Sequence, residues 1–129
     1  DIRLHEIDVA RPLEIAGERI VPVSGHHSER FEVTGYRIGR MAYLTDFKTI
    51  ADAEVGKLIG VELLVVNALR FRPHPSHFNV EEALALIARV APRRALITHV
   101  SHEIGRHAAT TALLPRGVEL AYDGLEIII

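Results

Sequence analysis

The 129-residue chain contains no cysteine and no tryptophan, and aromatic residues make up only 5% of it. Without cysteine the chain forms neither disulfides nor thiolate metal sites, so any bound metal must be held by nitrogen and oxygen atoms. The lack of disulfides is typical of a cytoplasmic protein, and we predict that location from it.

Two further absences exclude whole classes of protein. No apolar run approaches the roughly 18 residues that cross a bilayer, and residues 1–8 lack the basic and apolar regions of a signal peptide. The formal net charge is −2 and the basic residues are scattered, so the chain lacks the basic patch of a general nucleic-acid binder. We therefore expect one globular domain with neither a membrane nor a general nucleic-acid partner.

Histidine is the residue type that the chain has in excess. There are eight histidines, and six of them form close pairs in the sequence. The eight are His5, His26, His27, His74, His77, His99, His102 and His107. A histidine changes charge near neutral pH and is a common metal ligand, so these positions are the first candidates for a functional site.

Five segments carry the residue patterns of β-strands. Alternation of apolar and polar side chains marks a half-buried strand, whereas a nearly continuous apolar run is typical of a strand covered on both faces. The predicted strands cover residues 19–24, 31–39, 41–46, 61–69 and 94–98. A closing hairpin is predicted to turn at Asp123-Gly124.

Three helices are predicted between and after these strands. Residues 52–59 are expected to form a short helix with Asp52 as its cap, and residues 102–113 a weaker one. Asn79 is expected to begin the best-defined helix, because Glu82 three residues later completes a capping-box pattern. Strands and helices in this order predict an α/β or α+β layered domain.

Four residues that can bind metal follow predicted strands, either directly or in the next loop: His27, Asp46, His77 and His99. In layered α/β folds, ligands bind at the carboxyl ends of the strands. Imidazole and carboxylate groups together suit Zn²⁺, Mn²⁺ or Fe²⁺, and a carboxylate can bridge two ions about 3.5–4 Å apart. The placement therefore predicts a metal site at this edge of the sheet.

Each residue also has a purely structural interpretation. Asp46 fits a turn or helix cap, and His77 fits a loop histidine ordered by the neighbouring prolines. The H-x-x-H pattern in a loop is a weak metal signal, so His74 is expected to lie exposed at the surface. His102 fits a first-turn helix residue. The prediction of a metal site therefore depends on the joint placement at strand ends and not on any single residue.

Four stretches resemble the carboxyl-terminal half of metallo-β-lactamase-fold hydrolases. They read "GYRIGRMAYLTD", "VVNALRFRPHPSHFNVEEAL", "LITHVSHEIGRHA" and "LPRGVELAYDGLEI". The nearest branch is that of the phosphodiesterases related to the enzyme for phosphoribosyl cyclic phosphate. The resemblance implies one half of a four-layer αββα sandwich and two divalent metal ions, Mn or Zn or else Fe, as cofactors.

The resemblance also implies roles for particular residues. His27, with His26 as the alternative, matches a metal ligand of the family, Asp46 matches the carboxylate that bridges two metals, and His99 matches the last ligand. These assignments make residues 27, 46 and 99 the expected metal ligands.

Two further histidines match positions near the substrate. His77 matches the histidine that contacts the scissile phosphate and protonates the leaving group, which makes it the expected catalytic residue. His102 matches a residue that orients its neighbours at the substrate. The implied function is metal-dependent hydrolysis of a small cyclic phosphate or nucleotide-like phosphodiester through a metal-activated water.

The chain departs from the family in one large respect. The family's H-x-H-x-D-H cluster lies in its amino-terminal half, and this sequence contains no such motif. Residues 1–129 are therefore expected to be the carboxyl-terminal half of one domain, inactive without the other half. The alternatives are a ribonuclease Z-like enzyme, a thioester or lactone hydrolase, and a non-enzymatic interaction domain, and a homodimer is the default assembly.

Overall fold

The computed structural model describes residues 2–129 and contains one mixed seven-stranded sheet. The strands follow one another in the sheet in the order of the sequence. They are β1 (Leu13–Ile15), β2 (Glu18–Ser28), β3 (Phe31–Ile38), β4 (Met41–Leu44), β5 (Leu63–Asn67), β6 (Arg94–Thr98) and β7 (Val118–Leu120). The helices are α1 (Asp52–Gly56), α2 (Val80–Val90) and α3 (His107–Thr111), with a 3-10 turn at His102–Ile104.

The sheet changes character at its middle. Strands β1 to β4 pair antiparallel, whereas β4 to β7 pair parallel. All five residues of the central parallel strand β5 are buried, as the apolar run at residues 61–69 predicts. Because β4, β5 and β6 run in the same direction, their carboxyl ends lie side by side at one edge, and the residues after them can meet there.

The two faces of the sheet are covered unequally. The helices pack on one face and enclose the larger core, which includes Phe47, Leu58 and Ile97, each with 0% exposure. The other face has a small apolar cluster around Leu63, Val65 and Leu96. Toward β1, that uncovered surface includes large apolar side chains such as Ile15 (55% exposed) and Tyr43 (43% exposed).

The start of α2 forms as predicted. The Asn79 side chain accepts a hydrogen bond from the Glu82 N–H at 2.8 Å, and the Glu82 carboxylate accepts one from the Asn79 N–H at 2.8 Å. This reciprocal pair satisfies two of the backbone donors that a helix leaves free at its start. The helix therefore begins at a fixed point, directly after the loop that carries His77.

Two helix predictions need correction. Ala51, in extended conformation, precedes α1 and provides no side-chain cap, while Asp52 lies in the first turn. The predicted helix at residues 102–113 is split, because Gly105 adopts a positive φ of 95° between the 3-10 turn and α3. A positive φ interrupts the helical hydrogen-bond ladder and favours glycine.

The predicted closing hairpin is wrong. Strand β7 pairs in parallel with β6, and residues 125–129 form no strand. A turn does form at residues 123–124, but Leu125 and Ile127 then pack against the small cluster on the uncovered face of the sheet. Partial burial of these two apolar side chains replaces the strand pairing that the Asp-Gly turn predicts.

Strand β1, which pairs with β2, was not among the predicted strands. The strand predicted at residues 41–46 ends at Leu44. No helix within residues 2–129 has the length and apolar character needed to cross a membrane.

Candidate metal centre

The edge formed by the carboxyl ends of the parallel strands collects polar side chains. Asp46 follows β4 by two residues, and His99 directly follows β6. Both adopt left-handed backbone conformations, with φ of 65° at Asp46 and 56° at His99. Such a conformation is uncommon outside glycine and is found where the surrounding structure holds it in place, often at functional sites.

Asp46, His77 and His99 converge at a single point. The Asp46 Oδ1 atom lies 3.3 Å from His77 Nε2 and 3.3 Å from His99 Nε2, and the two Nε2 atoms are 3.1 Å apart. Ligands about 2.0–2.1 Å from one tetrahedral Zn²⁺ lie roughly 3.3–3.4 Å from each other. The three atoms therefore have the spacing of one face of a metal coordination tetrahedron.

His27 borders the same cluster. Its ring centroid is 4.5 Å from that of His77, and its Nδ1 lies 3.0 Å from the Asp46 carbonyl oxygen. His27, Asp46 and His77 each offer a ligand atom within 4.8 Å of the others. The nitrogen and carboxylate donors fit Zn²⁺, Mn²⁺ or Fe²⁺, the ions that such ligands prefer.

A β-bulge gives His27 its direction. The pairing of β2 with β3 runs through His26 and resumes at Ser28, which leaves His27 unpaired. Bulges re-aim side chains and are common beside active sites. His26, the alternative ligand, is exposed and pairs through its backbone with Thr49. The structure therefore directs His27, and not His26, toward Asp46.

The local electrostatics favour the protonation states that bind metal. Burial lowers the pKa of His77 below its ordinary value, and the nearby His27 and His99 add to this effect, while the hydrogen bond to Asp46 opposes it. Burial acts to raise the pKa of Asp46, but the Thr45 hydroxyl and the two histidines together bring it below its ordinary value. Near neutral pH the cluster thus presents a carboxylate and a neutral imidazole, both of which can donate an electron pair.

His74 differs from its prediction. The sequence predicts an exposed side chain, but His74 is half-buried, and its Nδ1 lies 3.3 Å from His77 Nδ1. The Ser76 hydroxyl lies 3.1 Å from His77 Nδ1 and 3.3 Å from His74 Nδ1. Both nitrogens of the His77 ring therefore have polar neighbours, which fix its orientation in the loop.

His102 lies apart from the cluster. Its side chain is exposed in the 3-10 turn, and within residues 2–129 no hydrogen bond joins it to the other histidines. Its neighbour Glu103 instead binds Arg70 at 3.0 Å and Arg72 at 2.8 Å. Glu103 thereby ties the 3-10 turn to the loop that carries His77, while the substrate role of His102 stays a prediction.

One buried residue at this edge has no counterpart among the predicted site residues. Asn67 ends β5 and has 0% exposure. The sequence feature that could have identified Asn67 is an amide side chain at the end of a largely apolar run, "VELLVVN". A buried amide needs hydrogen-bond partners, so its presence there indicates a specific polar contact.

The fold and this cluster define a known class of protein. Residues 1–100 match the family described as the beta-lactamase superfamily domain, and the chain belongs to that family. A diphosphatase from the PhnP family superposes with a TM-score of 0.93 at 35% identity, over 98% of this chain and 49% of that one. The resemblance to the metallo-β-lactamase fold is thereby confirmed. Proteins of this fold generally bind divalent metals.

More distant structures share the fold alone. A metallo-β-lactamase-fold protein from Bacillus subtilis has a TM-score of 0.71 at 17% identity, over 92% of this chain and 53% of that one. Human tRNase Z has a TM-score of 0.66 at 17% identity, over 88% of this chain and 44% of that one. At this identity the likeness to tRNase Z carries no evidence for RNA processing.

The chain is also similar to a protein that is named for another activity. The chain is 36% identical over 129 residues to an octanoyltransferase of Porphyromonas gingivalis, across 99% of this chain but only 26% of that protein. The chain thus spans about a quarter of this relative and about half of the diphosphatase.

Proposed function

We propose that this chain is part of a metal-dependent hydrolase that cleaves a phosphorus–oxygen bond in a small phosphodiester or diphosphate. The observation that carries the proposal is the convergence of Asp46 with His77 and His99, whose atoms lie 3.1–3.3 Å apart, since it places a proton donor directly beside two candidate metal ligands. The diphosphatase of 35% identity supports the substrate class.

In this proposal His27, Asp46 and His99 are the residues that would hold the divalent ions, and the Asp46 carboxylate could contact both of two bound ions. When bound, such ions supply an activated water and neutralise charge on the phosphoryl oxygens. His77 has the separate task of giving a proton to the leaving oxygen. An anionic phosphate beside His77 raises the pKa of the imidazole, so substrate binding favours the protonated ring that this step requires.

The whole protein needs a second half in this proposal. Residues 1–129 form the carboxyl-terminal half of one metallo-β-lactamase-type domain, and an amino-terminal half carries the H-x-H-x-D-H ligands. Two observations support this division: the chain spans 49% of the diphosphatase, and large apolar side chains lie exposed on one face of the sheet. Apolar patches of that kind are normally covered by another part of a protein.

The replacement His77→Ala in the full-length protein tests the role of His77. We expect turnover of cyclic phosphodiester and diphosphate substrates to fall about 10²–10⁴-fold, the usual worth of a general acid. The metal content per chain, measured by elemental analysis, should stay at the wild-type value. His107→Ala serves as the control, because His107 instead lies beside Tyr122 and the Leu120 carbonyl oxygen.

Two results would contradict this assignment. Unchanged turnover would remove His77 from catalysis. Loss of metal together with turnover would make His77 a metal ligand, a role that its distance of 3.3 Å from Asp46 Oδ1 permits. Wild-type protein that carries no metal after purification and binds none on titration would end the proposal as a whole.

A second candidate is thioester hydrolysis, which the octanoyltransferase relative supports in one respect: its name describes an acyl group as the group acted on. That protein is about four times as long as the matched segment. The activity in its name can therefore belong to a part of the protein that this chain does not match. The same purified full-length protein should be assayed with an octanoyl thioester and with a diphosphate ester. A kcat/KM that is higher for the thioester would replace the phosphodiesterase proposal with this one.

A further inference from the structure

The Asn67 side chain makes two hydrogen bonds with the backbone of a single residue, Phe47, next to the candidate metal centre. Its Oδ1 accepts a hydrogen bond from the Phe47 N–H at 2.8 Å, and its Nδ2 donates to the Phe47 carbonyl oxygen at 3.0 Å. Both Asn67 and Phe47 have 0% exposure. Loss of a hydrogen bond that is shielded from water is costly, because the donor or acceptor left behind cannot bind to water instead.

Phe47 connects two of the cluster residues. It directly follows Asp46, and its carbonyl oxygen also accepts a hydrogen bond from the Phe78 N–H at 2.8 Å. Phe78 in turn directly follows His77. Asn67 therefore holds the residue through which the Asp46 turn and the His77 loop are joined.

Asn67 also lies beside the third cluster residue. In the sheet it is paired with Thr98, the last residue before His99, and the next backbone N–H, at Ala68, donates to the Thr98 carbonyl oxygen at 3.1 Å. The end of β5 thus lies between the two chain segments that place Asp46 and His99. Both of those residues have positive φ values that the local fold must maintain.

We infer that Asn67 is a positioning residue, whose hydrogen bonds to Phe47 hold the Asp46 carboxylate where it can bind a divalent cation, with His77 beside it. The inference rests on the proposed function, since it assigns Asn67 to the metal site. An apolar residue of the same size would pack equally well in this interior. It would leave the Phe47 N–H without its partner. The amide of Asn67 is therefore needed to orient the Phe47 backbone and not merely to fill space in the core.

The replacement Asn67→Leu in the full-length protein tests this inference, with Co²⁺ as the probe. Metal-free protein is titrated with Co²⁺ and the visible absorption of the bound ion is recorded. We expect affinity for Co²⁺ to fall about 10–100-fold, the usual effect of losing a residue that supports metal ligands, and the absorption bands to change in position or intensity. Asn67→Asp, which keeps the acceptor but replaces the donor, should show the same direction of change.

Thr110→Val is the matched control. Thr110 is also buried, at 3% exposure, and its hydroxyl donates one hydrogen bond to the Ile104 carbonyl oxygen at 2.7 Å. Its replacement should lower the urea midpoint of unfolding without changing the Co²⁺ affinity or spectrum. A change confined to stability would be the signature of a structural role.

The outcomes separate this inference from the proposed function. Wild-type protein that binds no Co²⁺ would overturn both. Wild-type protein that binds Co²⁺, with Asn67→Leu binding it equally well and with the same spectrum, would overturn only the role of Asn67. Failure of both Asn67 variants to fold would assign the residue to the stability of the fold and would also overturn the positioning role.

Discussion

The two edges of the parallel sheet carry clusters of charged and titratable residues that differ in how those groups are paired. At the edge where β4, β5 and β6 begin, Arg40 binds Glu62 at 2.8 Å and Arg94 binds Glu119 at 2.6 Å. Positive and negative groups there satisfy each other. At the opposite edge the Asp46 carboxylate faces His77 and His99, and within residues 2–129 no arginine or lysine pairs with it.

This difference in pairing distinguishes a cluster of charges that only stabilises the structure, at the first edge, from a cluster that can bind a ligand, at the second. Paired surface charges stabilise a protein only slightly and need nothing further. The Asp46 carboxylate and the neighbouring His77 imidazole, each with a pKa below its ordinary value, offer electron pairs directed at one point, with no cationic side chain paired to the carboxylate. The carboxyl-end edge is therefore the one that a divalent cation would complete, and removing charges at the two edges should have very different effects.

The largest effect is expected for Asp46→Asn in the full-length protein. Asparagine keeps the size of aspartate and tolerates the positive φ of this position, so the change removes mainly the charge. We expect affinity for Zn²⁺ or Mn²⁺ to fall more than about 100-fold, beyond the 10–100-fold range of residues that only support ligands. Isothermal titration of metal-free protein measures it.

Asp52→Asn is the control for this experiment. Asp52 is an exposed aspartate in the first turn of α1 and pairs with Arg89, so its replacement should leave metal affinity unchanged. Equal metal affinities for Asp46→Asn and the wild type would show that the convergence at this edge is structural after all.

The sequence was sufficient to predict the strand-end placement that brings Asp46, His77 and His99 together. That argument works because parallel strands share a direction, so residues that follow them meet at one edge. It could not predict the bulge at His27, which depends on how β2 pairs with β3. Nor could it identify Asn67, whose partner Phe47 is 20 residues away in the chain.

The carboxyl-terminal segment shows a different limit. The Asp123-Gly124 pattern predicts a local turn, and a turn forms there. Whether a hairpin follows depends on competition between strand pairing and burial, and Leu125 and Ile127 are partly buried against distant residues of β5 and β6. A local pattern carries no information on that distant apolar surface.

A second, smaller effect is expected for Gly25→Ala, which alters the packing beneath the carboxyl-end edge. A Cβ atom at Gly25 would clash with the Phe47 ring and lie 2.8 Å from the Thr49 carbonyl oxygen. Overpacking of this kind typically costs about 1–3 kcal/mol. Because Phe47 adjoins Asp46, we expect weaker metal binding along with a lower urea midpoint.

Gly56→Ala provides the matched comparison for that variant. No atom lies within 4 Å of a Cβ placed at Gly56, the last residue of α1. Alanine there should leave the stability unchanged or raise it by about 0.5–1 kcal/mol, because glycine is a poor helix former. Gly25→Ala protein as stable as the wild type would mean that Phe47 can move without cost, and the support it gives to Asp46 would then be weak.

The smallest effect is expected for Glu119→Gln at the opposite edge. The Arg94–Glu119 pair lies partly exposed, with side-chain exposures of 38% and 33%, so solvent screens the attraction and its loss should cost no more than about 0.2–1 kcal/mol. Urea unfolding measures that cost, and the metal titration used for Asp46 should give the wild-type affinity. A drop in metal affinity in this variant would mean that the two edges are coupled through β6 and β7, since Glu119 lies in β7 and contributes no atom to the candidate metal centre. The contrast between a paired and an unpaired edge would then have to be replaced by a single electrostatic network that extends across the sheet.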